Sequence, residues 1–187
     1  CSFHGENSVA WDKKPVIMPL DLYTKILEEA ATFDPKPMLE FCHRGEELLD
    51  PEFVNKVRMA KEMGFGMILV TNGLLLDNKK TDDLLSIGID IILISCESID
   101  PEKYVEIMQG KADFGLLERN IDYLLSKRKD ADHKTVTGIK NVFLRENIME
   151  SDAFKKYWFD FGVDFVSFQN EYYNDNGMFR ARNQPYP

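Results

Sequence analysis

Polar side chains follow five apolar segments of this chain, at points where buried strands are expected to end. The residues at these points are, in chain order, Gly45, Glu46, Glu47, Thr71, Asn72, Ser95, Glu97, Arg145, Asn147, Gln169 and Asn170. Carboxylates can accept hydrogen bonds from a ligand ammonium, a guanidinium can pair with a ligand carboxylate, and hydroxyl or amide groups can bond a ribose. The set therefore suits a zwitterionic ligand that carries a sugar.

The apolar segments alternate with segments whose apolar residues have helical spacing. This pattern predicts strands near Leu39, Leu69, Ile92, Ile139 and Val166. Strands joined by helices imply a parallel sheet with right-handed crossovers. Five strands are too few for a closed eight-stranded barrel, and no Gly-x-Gly-x-x-Gly turn indicates a dinucleotide fold. The expected fold class is α/β, a partial, open parallel (β/α) barrel of TIM-like type over residues 1–169, followed by a loop or linker over 170–187.

The parallel sheet should bring the polar residues together, because the carboxyl ends of parallel strands lie on one rim. A purely structural interpretation is also open. Loops between strands and helices are polar in any α/β protein, and an acidic residue there is often only a helix cap.

Composition narrows the classes of function. The formal net charge of -9 over 187 residues argues against a nucleic-acid partner, which would require clustered Lys and Arg. No run reaches the roughly 18 apolar residues of a membrane span. Three cysteines, an odd and small number, do not form a disulfide scaffold and favour a cytoplasmic location. Of these, Cys42 and Cys96 are expected to be buried structural thiols at strand ends.

Four segments, in order, resemble the radical S-adenosylmethionine (radical SAM) enzymes. Residues 1–4, Cys-Ser-Phe-His, resemble the end of the Cys-x-x-x-Cys-x-x-Cys loop, and residues 41–51 resemble the Gly-Gly-Glu-Pro segment. Residues 69–75 match a Thr-Asn-Gly-x-Leu-Leu segment, and residues 92–104 resemble an Ile-Ser-x-Asp strand end with a downstream Asp-Pro-Glu-x-Tyr. In the second segment Glu47 stands where Pro is common, and in the fourth Glu97 stands where Asp is frequent.

The resemblance implies a [4Fe-4S] cluster held by three thiolates and S-adenosylmethionine (SAM) bound to its open iron. Reductive cleavage of SAM would give a 5'-deoxyadenosyl radical that abstracts hydrogen from a peptide, protein or sugar substrate. An electron donor such as flavodoxin or ferredoxin is implied as a partner. The ending of the chain resembles the linker before a cysteine-rich auxiliary (SPASM or twitch) domain, so a further domain is expected after Pro187, and two further cluster cysteines before Cys1.

Site roles also follow from the resemblance. Cys1 would bind the cluster, Glu46 or Glu47 the amine of SAM, and Gly45 and Thr71 belong to the same cofactor-binding segments. By the same likeness, Asn72 would lie near the methionine moiety, Ser95 and Glu97 near the ribose, and Arg145 and Asn147 near the carboxylate or ribose. Candidates for substrate contact are His43, Gln169 and Asn170.

Two alternatives remain open. One thiolate cannot hold a cluster as three do, so the chain could be a noncatalytic fragment or binding domain of the same fold. The other alternative is a barrel enzyme without a cluster, which uses Glu46, Glu47 and Glu97 as metal ligands or acid–base groups.

Overall fold

Five parallel strands form one open sheet, in the order in which they occur along the chain. The structure is a computed structural model that describes residues 17–42, 45–130, 134–143, 147–170, 172–175 and 178–181. For residues 130, 148, 170, 172–175 and 178–181 it describes the backbone alone. The prediction of an α/β protein with a five-stranded parallel sheet is confirmed.

One helix precedes the first strand, and the others connect consecutive strands of the sheet. The helices are α1 (Leu20–Ala30), α2 (Phe53–Glu62), α3 (Asn78–Ile87), α4 (Pro101–Ile107), α5 (Phe114–Asp130) and α6 (Ser151–Phe161). The strands of the sheet are β1 (Met38–Phe41), β2 (Gly66–Thr71), β3 (Ile91–Ser95), β4 (Val136–Phe143) and β5 (Phe165–Asn170). Single turns of 3₁₀ helix, Glu47–Leu49 and Ile148–Glu150, follow β1 and β4.

Capping residues set several helix boundaries. The Asp100 carboxylate accepts hydrogen bonds from the backbone N–H groups of Glu102 and Lys103, which begins α4. The Asp77 side chain does the same for Lys80 at the start of α3, and Gly88 ends that helix with a φ of 77°. A left-handed residue at this position favours glycine, because a Cβ would be strained there.

The two faces of the sheet have different environments, because side chains alternate along each strand. On the outer face, residues such as Leu69, Ile92 and Ile139 are fully buried in a core shared with Leu84 and Leu117 of the helices. The inner face is less covered. It consists of the residues that alternate with these and pair in register across the strands. They are Met38, Glu40, Gly66, Ile68, Val70, Ile91, Leu93, Ser95, Val136, Gly138, Lys140, Val142, Phe165, Ser167 and Gln169.

The prediction of loop for residues 170–187 was wrong in two places. Strands β6 (Tyr172–Asp175) and β7 (Met178–Ala181) pair as an antiparallel hairpin outside the main sheet. The signal was present in the sequence, since Asn176-Gly177 lies between runs that contain aromatic residues, a pattern typical of hairpins.

Candidate functional site

The Glu46 carboxylate connects the loop after β1 to the end of β2. Its Oε1 accepts a hydrogen bond from the Thr71 hydroxyl (2.5 Å), and its Oε2 accepts one from the backbone N–H of Asn72 (2.9 Å). A longer bond, 3.4 Å, comes from the N–H of Leu48. Both carboxylate oxygens therefore have partners, and the orientation of the side chain is determined by groups on a neighbouring strand.

Hydrogen bonds within the turn and from helix α5 hold the turn after β2 in place. Thr71 is 2% exposed, and its hydroxyl also accepts a hydrogen bond from the N–H of Gly73 (3.0 Å). The Asn72 side chain accepts one from the N–H of Leu74 (2.9 Å), and Asn120 of α5 donates to the Gly73 carbonyl (2.8 Å). Gly73 has a φ of 76°, and a Cβ there would lie 2.6 Å from a methyl group of Leu117, so only glycine fits.

Asn147 joins the ends of β3 and β4. Its side-chain nitrogen donates to the carbonyl oxygens of Glu97 (2.8 Å) and Val142 (2.9 Å), and Asn147 is 4% exposed. Asn141 supports the same junction by donating to the Cys96 carbonyl (3.0 Å). The amide of Asn147 thus satisfies buried backbone carbonyls, and its described hydrogen bonds position the loop that carries Glu97.

The Glu97 side chain lies in a buried environment at this junction. The residue is 8% exposed, and burial raises the pKa of its carboxyl, while the nearby charge of Lys140 acts in the opposite direction. A raised pKa means that Glu97 retains its proton to a higher pH in the folded protein than in the unfolded chain. The corresponding stability is fully present below the unfolded pKa and is lost as the pH rises through the folded pKa.

Replacing Glu97 with Gln is therefore expected to stabilise the protein at high pH. At pH 8 the variant should unfold at a higher temperature than the wild type, because Gln carries no charge to desolvate. The difference should shrink towards pH 4, where the wild-type carboxyl is mostly protonated in both states. Thermal unfolding followed by circular dichroism between pH 4 and pH 8 measures the effect. A difference that grows as the pH falls would contradict it.

The structure brings the described candidates to the carboxyl edge of the sheet and joins them in two groups. One group consists of Glu46, Thr71 and Asn72, and the other consists of Glu97 and Asn147. Other candidates lie on the same edge, with Gly45 exposed, Glu47 and Ser95 half-buried and Gln169 exposed. Cys1, His43 and Arg145 lie outside the described residues, and of Asn170 only the backbone in β5 is described.

The two described cysteines differ from each other. Cys96 is fully buried, as predicted, and burial raises the pKa of its thiol. The prediction that Cys42 is buried was wrong, because this cysteine follows the edge strand β1 and is exposed. Within the described part of the chain, no three His, Cys, Asp or Glu residues form a group that could hold a metal ion. The metal-enzyme alternative thus gains no support from these residues.

Sequence reasoning missed Lys140 and Asn141, which lie side by side in β4. A signal was available, since a charged residue within an apolar strand is rarely buried without a partner. Ser95, Lys140 and Ser167 pair in register on three adjacent strands, so they form a polar row on the inner face.

An open parallel sheet with polar groups at its carboxyl edge defines this protein as an α/β domain of the partial-barrel class. The sequence model of the radical SAM superfamily matches residues 1–151. The chain belongs to this superfamily, whose members are enzymes.

The chain spans less than half the length of the curated relatives it matches. It is 29% identical over 161 residues to the tungsten-containing aldehyde ferredoxin oxidoreductase cofactor-modifying protein of Pyrococcus furiosus. The aligned region covers 86% of this chain and 45% of that protein. Two crystal structures of Streptococcus suis SuiB share its fold. The structure bound to S-adenosylmethionine has a TM-score of 0.70, with 13% identity over 93% of this chain and 38% of SuiB. The structure bound to the precursor peptide SuiA has a TM-score of 0.68, with 13% identity over 84% of this chain and 34% of SuiB.

Among the described residues, none of the helices is both long and apolar enough to cross a membrane.

Proposed function

We propose that this chain is the core of an enzyme that binds a [4Fe-4S] cluster and SAM and removes a hydrogen atom from a peptide, protein or sugar. The observation that carries the proposal is the Glu46 carboxylate, held at the end of β2 by Thr71 and Asn72 in a chain of the radical SAM superfamily. SuiB, a protein of the same fold, binds a precursor peptide, which favours a peptide among the three substrate classes.

The residues at the rim fit the amine of SAM. An ionised carboxylate offers about four lone-pair positions, and the described bonds to Glu46 leave one of them available for an ammonium group. Because two of its bonds come from the end of β2, Glu46 does not need to reorganise when a ligand arrives. We therefore assign the amine contact to Glu46 rather than to Glu47.

The other residues have supporting roles. When bound, the cluster and SAM supply reductive cleavage of a carbon–sulfur bond and a carbon radical that takes hydrogen from the substrate. The protein orients the reactants: Asn147 holds the loop of Glu97, and Ser95 presents a hydroxyl on the inner face, close to where the ribose would lie. Cys1 would bind the cluster together with two upstream cysteines, and Arg145 would meet the carboxylate. An electron donor such as flavodoxin or ferredoxin, a cytoplasmic location and an auxiliary domain after residue 187 complete the proposal.

Anaerobic reconstitution of the full-length protein with iron and sulfide tests the proposal. We expect absorbance typical of an iron–sulfur cluster, and 5'-deoxyadenosine formation when SAM and dithionite are added. A Cys1→Ser variant is the matched control and should give neither. A wild-type protein that shows no cluster absorbance and no cleavage of SAM would instead identify the chain as part of a noncatalytic binding protein.

A further inference from the structure

Lys140 occupies an unusual place in the sheet. Among all residues of the five parallel strands, only Glu40 and Lys140 carry a charge, and Lys140 is the one cation. Its register with Ser95 of β3 and Ser167 of β5 places it on the inner face. This face lies opposite the helices, so the ammonium points to the side of the sheet that a ligand can approach.

The surroundings of Lys140 are mostly apolar. Val142 follows on the same face of β4, and Leu93 lies on the adjacent strand, one pleat below the level of Ser95. The ring of Phe165 covers Gly138 below Lys140, because a Cβ on this glycine would lie 2.3 Å from the ring. Lys140 itself is half-buried. A half-buried cation loses part of its hydration, and pairing with an anion would offset that cost.

No described carboxylate provides this pairing. Within the part of the chain that the structure describes, the lysines that form ion pairs lie on helices, and Lys140 is not among them. Lys140 pairs in register with Ser95, the last residue of β3, so it lies near the rim, where a ligand could provide its partner.

We propose that Lys140, together with the hydroxyl of Ser167 on the neighbouring strand, binds an oxyanion, a carboxylate or phosphate, of the substrate. Adjacent strands are about 4.8 Å apart, so the ammonium and the hydroxyl can contact different oxygens of one anion, which leaves Ser95 to the ribose of SAM. The inference rests on the proposed function, because it specifies the substrate class of the same site. It predicts that the molecule modified is acidic at the point where it contacts β4.

Protection of Lys140 from chemical modification tests the proposal without knowledge of the substrate. The reconstituted full-length protein is reductively methylated with formaldehyde in chloride, acetate or inorganic phosphate at equal ionic strength. Peptide mass spectrometry then measures the rate at each lysine. An anion present at about twice its Kd should slow methylation of Lys140 about threefold. The exposed Lys134, which precedes the same strand, should react at the same rate in all three salts.

Each outcome distinguishes among the possible sources of the anion. Protection by acetate alone identifies a carboxylate ligand, and protection by phosphate alone identifies a phosphate ligand. A Ser167→Ala variant should weaken either effect at Lys140 and leave Lys134 unchanged. Equal rates at Lys140 in all three salts would overturn the proposal.

SAM itself is a rival source, since it carries a carboxylate. If acetate and phosphate no longer protect Lys140 once SAM is present at saturation, the cofactor occupies this position and the substrate assignment is wrong. The two proposals are tested by different measurements. Cleavage of SAM tests the proposed function. Protection of Lys140 by acetate or phosphate tests this inference, and it can be measured in a protein that never cleaves SAM.

Discussion

Replacing Glu46 with Gln is expected to lower the affinity for SAM roughly 10- to 100-fold, because a charge-assisted hydrogen bond is worth about 1.5–3 kcal/mol. Gln can keep both bonds to the end of β2: its oxygen can accept from the N–H of Asn72, and its amide can donate to the Thr71 hydroxyl oxygen. The local structure should therefore persist. What the variant loses is the negative charge that would face the amine of the ligand.

Equilibrium dialysis of the anaerobically reconstituted full-length protein measures this affinity. Glu47→Gln is the matched control, since it removes the same charge one residue along the chain. We expect Glu47→Gln to change the affinity much less than Glu46→Gln, and both variants to unfold near the temperature of the wild type. A larger loss in Glu47→Gln would assign the amine contact to Glu47 instead.

Replacing Asp50 with Asn is expected to lower the free energy of unfolding by about 3 kcal/mol, because it leaves a buried ammonium without its counterion. The Lys56 side chain is 3% exposed, and its Nζ lies 2.5 Å from Asp50 Oδ2 and 2.7 Å from the Met18 carbonyl oxygen. Neither the neutral amide nor the carbonyl balances the charge. The pair also connects α2 to the segment that carries Glu46, so the variant should weaken SAM binding as well.

Thermal unfolding of the full-length protein measures this effect, which should be a decrease of the midpoint on the order of 10 °C. Asp83→Asn is the matched control, because it breaks an ion pair whose Lys79 partner is 84% exposed. Exposed pairs contribute about 0–1 kcal/mol, so the control should stay within a few degrees of the wild type. Equal midpoints for Asp50→Asn and Asp83→Asn would show that the buried pair does not stabilise the fold.

Local patterns in the sequence were enough to predict the sheet. Short apolar segments such as residues 91–95 predicted strands that the structure confirms. Hairpin β6–β7 was missed although its signal was also local. The order of the four resembling segments indicated the superfamily, which the match over residues 1–151 confirms.

The sequence by itself determined which residues follow the strands, and hence that Glu46, Asn72, Glu97 and Asn147 lie on one edge, because the ends of parallel strands coincide. Only the tertiary structure decided what these side chains contact. Glu46 bonds to Thr71, 25 residues away, and Asn147 bonds to Glu97, 50 residues away. Such bonds depend on the register and spacing of neighbouring strands, which no local pattern specifies. For the same physical reason, the sequence alone did not predict that Ser95, Lys140 and Ser167 form a row, because that row depends on the register of three strands.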